Sequence, residues 1–402
     1  MKIAIYTLTS ELHDAQAIES ATSAFLDTLQ LDFDFRGADF ADYGSHPLSV
    51  IYVRTGGTEG IFRRLLPQLL QQSTSSHPRT PHFILLTSGQ SNSLAASMEI
   101  LSFLRQQNLQ GEIVHGSAGY MRHRLELLSL VAEARKKLEG CRLGIVGEPS
   151  DWLISSTFDV EAVKSRLGIE LVKVPMEEVQ QLVDSMPETM PNETAADEAV
   201  RRSLPGAQRI YLALREMTAR YQLQGFTIRC FDLLTSMHNT GCLALAKLNA
   251  EGIVAGCEGD VPTMLSMVIG QALTGVSGFQ CNPSRIDVET GEILLAHCTI
   301  PLNMVERYEL DTHFESGIGV GIRGYMREGD VTLFKVSGDL SRSFIAEGRL
   351  VRNQAEPDLC RTQQVIHLRD TAQLTYFLTN PIGNHHVVFP GHVADALRLL
   401  IQ

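Results

Sequence analysis

The 402-residue sequence lacks a run rich in Lys and Arg and lacks a long apolar run. Its formal net charge is −12, so we expect no nucleic-acid partner, because phosphate binding requires a basic face. No apolar stretch approaches the roughly 20 residues that span a bilayer, so we expect no membrane partner either. The opening MKIAIYTLTS becomes polar too early for a signal peptide. These absences favour a cytoplasmic protein with a small, neutral or polar ligand.

The cysteines show no disulfide or zinc pattern. They are odd in number, scattered and never spaced as CxxC, which favours reduced thiols over a disulfide framework or a structural zinc. Hydrophobic residues make up 44% of the chain and charged residues 20%, enough for a full globular core. The seven cysteines are Cys141, Cys230, Cys242, Cys257, Cys281, Cys298 and Cys360.

The first two-thirds of the chain alternates β-type runs with amphipathic helical stretches, which predicts α/β architecture with doubly wound parallel sheets. We expect two such domains, residues 1–138 and 139–280. The pattern changes near residue 279, where RIDVET-GE-ILLAHCTI predicts a hairpin around Thr290 and Gly291. Residues 281–402 are therefore predicted to form a mainly β domain with a terminal helix.

A glycine pattern in the last third resembles a dinucleotide fingerprint. Gly319, Gly321 and Gly324 satisfy G-x-G-x-x-G, but such a fingerprint must join a strand to a helix. Here the next element, DVTLFKV, has the pattern of another strand. We therefore interpret the glycines as sites of close strand packing and reject nucleotide binding.

Small polar turns follow several predicted strands, at residues 54–60, 87–93, 147–152 and 235–241. Strand carboxyl ends line the ligand crevice of a parallel sheet, so these turns are candidate contacts of a polyhydroxylated ligand. For each turn alone an ordinary strand-to-helix connection is the favoured interpretation, whereas four such turns together favour a ligand site. Trp152 can pack on a sugar face or belong to the core. The candidate contacts are Ser91, Asn92, Trp152 and His238.

A possible metal-binding set begins at CEGDVPT, where Glu258 and Asp260 stand between a predicted strand and a predicted helix. Helix capping alone explains Asp260 well and Glu258 less well. His297 lies in the strand-like LLAHCTIP, and His385 and His386 lie in GNHHVVFPGH. One histidine by itself is more often structural than a ligand. Together with the carboxylate, however, these residues make an oxygen and nitrogen set that suits Mn²⁺, Mg²⁺, Co²⁺ or Zn²⁺.

Four motifs in this order, CEGDVPT, LLAHCTIPLNM, ESGIGVG and GNHHVVFPGH, resemble the L-fucose isomerase / L-arabinose isomerase superfamily, in particular its shorter fucose isomerase-like branch. The resemblance covers roughly residues 235–392. It implies two α/β domains, a β-rich C-terminal domain and a divalent-metal site, usually with Mn²⁺. It also implies a sugar substrate and a homo-oligomer, either a trimer or a hexamer.

By position in these motifs, Glu258 matches the family's catalytic, metal-binding glutamate and His297 its strand histidine. His386, rather than His385, matches the C-terminal metal ligand. The place of the family's second carboxylate falls on Asn282, which can ligate a cation weakly but cannot carry a proton. His385 and Glu315 are then candidate pocket residues.

The resemblance therefore predicts a divalent-metal-dependent aldose–ketose isomerase, an intramolecular oxidoreductase that acts through a cis-enediol. Because of Asn282, the alternative is the same scaffold with a different or lost reaction, for example a non-catalytic carbohydrate-binding protein.

Overall fold

Strands and helices alternate through the first of the two units, Met1–Lys136 and Lys137–Gln402, that make up this computed structural model. The structure describes residues 2–11, 14–76 and 82–402. The first unit is built on five parallel strands in the order β2-β1-β3-β4-β5, and apolar side chains pack on both faces of this sheet. Its elements are β1 (Ile3–Leu8), α1 (Ala15–Leu29), β2 (Phe33–Gly37), β3 (Ser49–Val53), α2 (Glu59–Ser76), β4 (His82–Leu86), α3 (Ser93–Gln106), β5 (Gln110–Val114) and α4 (Ala118–Leu138).

The second unit begins with a four-stranded parallel sheet in the order β7-β6-β8-β9. Because the strands are parallel, the residues that follow β6, β8 and β9 meet at one edge of the sheet. The elements are β6 (Arg142–Val146), α5 (Val160–Leu167), β7 (Glu170–Val174), α6 (Met176–Ser185), α7 (Glu198–Tyr221), β8 (Gly225–Ile228), α8 (Phe231–Met237), α9 (Cys242–Ala250), β9 (Val254–Cys257) and α10 (Val261–Thr274).

The same unit continues into a closed antiparallel barrel of six strands in the order β10-β11-β16-β15-β14-β17, beside a β12-β13 pair. The predicted hairpin is present, with Thr290 and Gly291 in the connection between β10 and β11. The remaining elements are β10 (Phe279–Asp287), β11 (Glu292–His297), β12 (Arg307–Asp311), β13 (Gly321–Tyr325), β14 (Gly329–Val336), β15 (Ser343–Gln354), β16 (Thr362–Leu368), α11 (Leu374–Thr379), β17 (His386–Pro390) and α12 (Ala394–Ile401).

Helix α10 lies against the barrel. The Ser266 hydroxyl accepts a hydrogen bond from the Val336 N–H at 3.0 Å, and a Cβ on Gly270 would lie only 2.0 Å from the Phe389 ring. These contacts fix the turn before α10 next to the barrel strands, and the candidate site lies between them.

The predicted fold class, parallel α/β followed by a mainly β region, is confirmed. The division of the second unit at residue 280 stays a prediction. Among the residues that the structure describes, no helix is both long and apolar enough to cross a membrane.

Candidate functional site

The turn between β9 and α10 holds Glu258 in a strained backbone conformation. Its φ is +65°, the left-handed region that non-glycine residues seldom adopt and that often marks functional sites. The Ser150 N–H donates to the Glu258 carbonyl at 3.0 Å. A Cβ on the neighbouring Gly259 would lie 2.8 Å from the Cα of Pro149. The loop that follows β6 therefore packs tightly against this turn.

Trp152, in that loop, contacts the Glu258 side chain directly. Its indole Nε1–H donates to Glu258 Oε2 at 2.6 Å, and its ring packs edge-on against Phe231 with centroids 4.8 Å apart. Half of Trp152 remains exposed. One carboxylate oxygen of Glu258 is thus fixed by an aromatic donor, which leaves the other oxygen for different partners.

The second carboxylate oxygen faces two histidines. Glu258 Oε1 lies 3.4 Å from His385 Nε2 and 3.8 Å from His297 Nε2, and one donor atom from each of the three side chains lies within 4.8 Å of the others. All three residues are almost completely buried. We call this group the Glu258 triad.

The Glu258 triad fits a divalent cation. His297 Nδ1 and His385 Nε2 are buried and have no hydrogen-bond partner among the described residues, and an unsatisfied buried polar group costs about 1–3 kcal/mol. One carboxylate oxygen with two imidazole nitrogens is a donor set typical of Mn²⁺, Co²⁺ or Zn²⁺. A cation ligated by His385 Nε2 would satisfy that orphaned nitrogen.

Asp260 and Lys335 support the triad from behind. Asp260 Oδ2 accepts a hydrogen bond from His385 Nδ1 at 2.9 Å, which directs Nε2 of that ring toward Glu258, as in carboxylate–histidine–metal arrangements. Asp260 Oδ1 accepts from the Thr263 N–H at 2.8 Å and so caps α10. The fully buried Lys335 places its Nζ 3.4 Å from Asp260 Oδ2. Capping was therefore a correct but incomplete interpretation of Asp260.

The charges in this cluster shift several pKa values. Burial acts to raise the pKa of Glu258, but His385 and His297 outweigh it and hold that pKa below its usual range. The pKa of Asp260 is likewise lowered, because Lys335 and His385 outweigh the effect of burial. Burial lowers the pKa of His385, but Glu258 and Asp260 raise it to about 9. Without a cation, the imidazolium of His385 is therefore the counter-charge of both carboxylates.

His386 lies outside the triad, in contrast to the prediction that it, rather than His385, faces the metal. Its Nε2 lies 3.0 Å from the Tyr376 hydroxyl and its Nδ1 lies 3.0 Å from the Asn384 carbonyl. Burial lowers its pKa to about 3. Adjacent residues of an extended chain point to opposite sides, so only one of the two histidines can face Glu258, and it is His385.

A cavity of about 460 Å³, which includes space open to solvent, adjoins the triad. Asn282 and Glu315, both singled out from the sequence, line it together with Glu258 and His297. His313 lines it as well, and the sequence analysis missed this residue. It precedes the ESGIGVG motif by two residues without belonging to it, so only the fold reveals its position.

Three other predicted contacts, Ser91, Asn92 and His238, have left-handed backbone conformations. Ser91 and Asn92 belong to the first unit, just before α3, with left-handed φ values of 49° and 59°. His238 ends α8 in a left-handed conformation and is exposed. It is not among the residues that line the cavity. Sugar contacts by these three residues stay predictions.

Part of the second unit matches a known protein family. Residues 156–274 match the family described as the L-arabinose isomerase central domain. This segment contains Glu258, whereas His297 and His385 follow it. The match therefore covers β7, β8 and β9 of the four-stranded parallel sheet and the turn that carries the glutamate, whereas β6 precedes it.

Comparison with curated proteins gives sulfoquinovose isomerases. The chain is 24% identical over 263 residues to the sulfoquinovose isomerase of Alkalicoccus urumqiensis. This match covers 61% of this chain and 59% of the relative. It is 23% identical over 265 residues to that of Priestia megaterium, with the same coverage. It is 26% identical over 191 residues to that of a Clostridium species, covering 44% of this chain and 42% of the relative. The chain thus spans about three-fifths of the length of the first of these relatives.

Proposed function

We propose, from the chain's relationship to the L-fucose / L-arabinose isomerase superfamily, that it is a divalent-metal-dependent aldose–ketose isomerase. The observation that carries the proposal is the Glu258 triad beside a cavity that Asn282 and Glu315 also line. Two imidazoles and a carboxylate converge here, and two of the ring nitrogens lack a hydrogen-bond partner among the described residues. Such a set is suited to bind a cation. We further propose a homo-oligomer located in the cytoplasm.

Glu258, His297 and His385 would hold the cation, for which Mn²⁺ is our first choice. When bound, a divalent cation supplies Lewis-acid stabilisation of negative charge on the two adjacent sugar oxygens during isomerisation. Asp260 would position His385 through the Nδ1 hydrogen bond, and Lys335 would balance the charge of Asp260. Asn282 remains a weak candidate ligand.

Glu258 would also move the proton between C1 and C2 of the sugar. Its carboxylate is ionised, which is the form that can accept the C2 proton, and the Trp152 hydrogen bond holds it in one orientation. Return of the proton to C1 of the cis-enediol, together with transfer of one proton from O2 to O1, would complete the isomerisation. Asn282 cannot act as a second proton carrier, but Glu315 lines the same cavity. We propose Glu315 for that role.

The first test is metal content. The full chain is loaded with Mn²⁺, dialysed exhaustively and compared with Glu258→Gln, which keeps the size of the side chain but removes its charge. We expect near-stoichiometric Mn²⁺ in the wild type and an affinity about 100-fold lower in the variant, since even outer-shell substitutions cost about 10–100-fold. Glu315→Gln is the matched control and should retain the metal, because Glu315 is outside the triad.

Turnover is tested next on a panel of aldoses that includes sulfoquinovose, L-fucose and L-arabinose, with exchange of the C2 proton into solvent as the readout. Exchange should require Mn²⁺ and be lost in both carboxylate variants. Mn²⁺ retained equally by the wild type and Glu258→Gln would contradict the proposed metal site. No exchange with any sugar would contradict the isomerase.

The second candidate is a non-catalytic carbohydrate-binding protein, which Asn282 favours because an amide replaces the family's second carboxylate. Such a protein should bind sugar without a cation and be indifferent to Glu258→Gln. Calorimetric titration of the same sugars with and without Mn²⁺ distinguishes the two candidates.

A further inference from the structure

Cysteine thiols line the candidate cavity to an unusual extent. Of the seven cysteines in the chain, only Cys141 and Cys281 are absent from its walls. None of the seven is in a disulfide. The thiols that line the cavity are Cys230, Cys242, Cys257, Cys298 and Cys360.

Cys230 and Cys257 form the closest pair among them. Their Sγ atoms are 2.9 Å apart, whereas a disulfide bond measures about 2.05 Å, so bond formation requires an approach of about 1 Å. The two residues are brought together because β8 and β9 are neighbouring parallel strands, with Ile228 opposite Cys257. Cys230 lies two residues beyond the end of β8, and Cys257 is the last residue of β9.

Each member of this pair leads to Glu258 by a short route. Cys257 immediately precedes Glu258 in the chain. Cys230 immediately precedes Phe231, whose ring packs against Trp152, the residue whose indole donates to Glu258 Oε2. A bond between the two sulfur atoms would therefore displace both the backbone next to Glu258 and the Phe231 ring that packs against Trp152.

We propose that Cys230 and Cys257 are a dithiol modification site, which a peroxide entering the cavity oxidises to a disulfide that moves Glu258 relative to Trp152. Cys230, the more exposed of the two thiols, gives up its proton and its sulfur attacks the O–O bond of the peroxide, which yields a sulfenic acid and water. The second thiol then attacks the sulfenic sulfur, which releases a second water and forms the S–S bond. Two electrons pass from the thiols to the peroxide. Disulfides of this reversible type are the usual kind in reducing compartments.

The bond itself is tested on the full chain by reducing it, removing the reductant, adding hydrogen peroxide and mapping cross-linked peptides by mass spectrometry. We expect a peptide pair joined through Cys230 and Cys257 that has lost two hydrogen atoms and separates on reduction. Cys141→Ser is the matched control and should leave this link unchanged, whereas Cys230→Ser should abolish it. A Cys298–Cys360 link in its place, or over-oxidised single thiols, overturns the proposal.

The effect on Glu258 is tested by fluorescence, because Trp152 is the only tryptophan in the chain. We expect peroxide to shift its emission in the wild type and in Cys141→Ser, and dithiothreitol to restore it. Cys230→Ser and Cys230→Ala should show no shift. Formation of the link without any change in emission would overturn the coupling to Glu258.

Neither readout depends on the proposed isomerase function. Measuring the Mn²⁺ affinity of the reduced and oxidised chain connects the dithiol site with the proposed metal site. We expect this affinity to fall about tenfold on oxidation, because changes in residues that support metal ligands lower metal affinity by about 10–100-fold. If the reduced chain binds no Mn²⁺, the proposed metal site fails, while peptide mapping and fluorescence still decide the dithiol site.

Discussion

Lys335 is a buried cation whose charge is balanced by Asp260. Both side chains are essentially inaccessible to solvent, and burial lowers the pKa of Lys335 even though Asp260 acts in the opposite direction. Removal of one partner from a buried ion pair leaves the other charge uncompensated, which typically costs about 3–5 kcal/mol. This residue therefore matters to folding as well as to the position of His385.

We expect Lys335→Met to lower the free energy of unfolding by about 3 kcal/mol or more in urea titrations at neutral pH. The matched control is Lys173→Met, because Lys173 pairs with Glu148 at 3.7 Å on the surface, with 76% and 72% of the two side chains exposed. That change should alter stability by about 0.5 kcal/mol at most. Equal effects of the two substitutions would show that His385 alone balances Asp260.

His313 makes the folded chain sensitive to acid. Burial lowers its pKa to about 4, helped by the charges of His297 and Arg361 and opposed by Glu258, whereas an unfolded histidine titrates near 6.5. The unfolded state therefore binds the proton first, so the contribution of His313 is fully present above about pH 6.5 and is lost as the pH falls toward 4.

We expect His313→Gln to flatten the decline in the free energy of unfolding between pH 6.5 and pH 4, where His313 accounts for up to about 3 kcal/mol. Urea titrations of wild type and variant across this range provide the measurement. Parallel curves for the two proteins would show that His313 is not held neutral by burial.

At the level of single residues, the sequence identified Glu258, His297, Asn282 and Glu315 as candidates, and all four line one cavity. It indicated His386 rather than His385 as the ligand, because motif position does not reveal the side to which each ring points. The pairing of Cys281 with His386 sets this register. No sequence pattern indicated a role for Lys335, because Lys335 and its partner Asp260 lie far apart in the chain.

Among the secondary-structure elements, the turn from β9 to α10 depends on Gly259. Gly259 has a φ of +71°, and a Cβ there would meet Pro149, whereas Gly252 has a φ of +89° with open space around it. The two glycines thus share the backbone requirement but differ in packing. Comparing substitutions at the two glycines therefore measures the energetic contribution of the contact between this turn and the loop after β6.

We expect Gly259→Ala to destabilise the chain by about 1–3 kcal/mol more than Gly252→Ala, because only the first substitution adds a clash to the backbone strain. Thermal and urea unfolding of the two variants provide the comparison. Equal losses would mean that the loop moves aside without cost, and Trp152 would then be a flexible partner of Glu258.

Local patterns in the sequence predicted most individual elements. Alternating strands and helices led to the two parallel sheets, and the Thr290-Gly291 turn led to the first hairpin of the barrel. Closure of the barrel was not predicted, because it depends on the pairing of β10 with β17, in which Phe279 lies opposite Val388. Pairing between such distant segments leaves no periodic signal in either one.

For the whole molecule, a cation bound by Glu258, His297 and His385 would join the end of β9, the end of β11 and the start of β17. A ligand that binds only the folded state stabilises it by about 2.7 kcal/mol at 100 times its dissociation constant. We expect Mn²⁺ to raise the free energy of unfolding of the wild type by about this amount and to leave Glu258→Gln unchanged. Equal stabilisation of both proteins would place the bound cation elsewhere.

The closed barrel also fixes when the site can appear during folding. Strand β17 pairs with both β10 and β14, so the barrel stays open until this late segment has been synthesised and has docked. His385 lies directly before β17 and reaches Glu258 only at that step. Pairings that close large loops form slowly. The nascent chain therefore carries Glu258 and His297 for some time without their third partner, and the complete Glu258 triad cannot guide the earlier steps of folding.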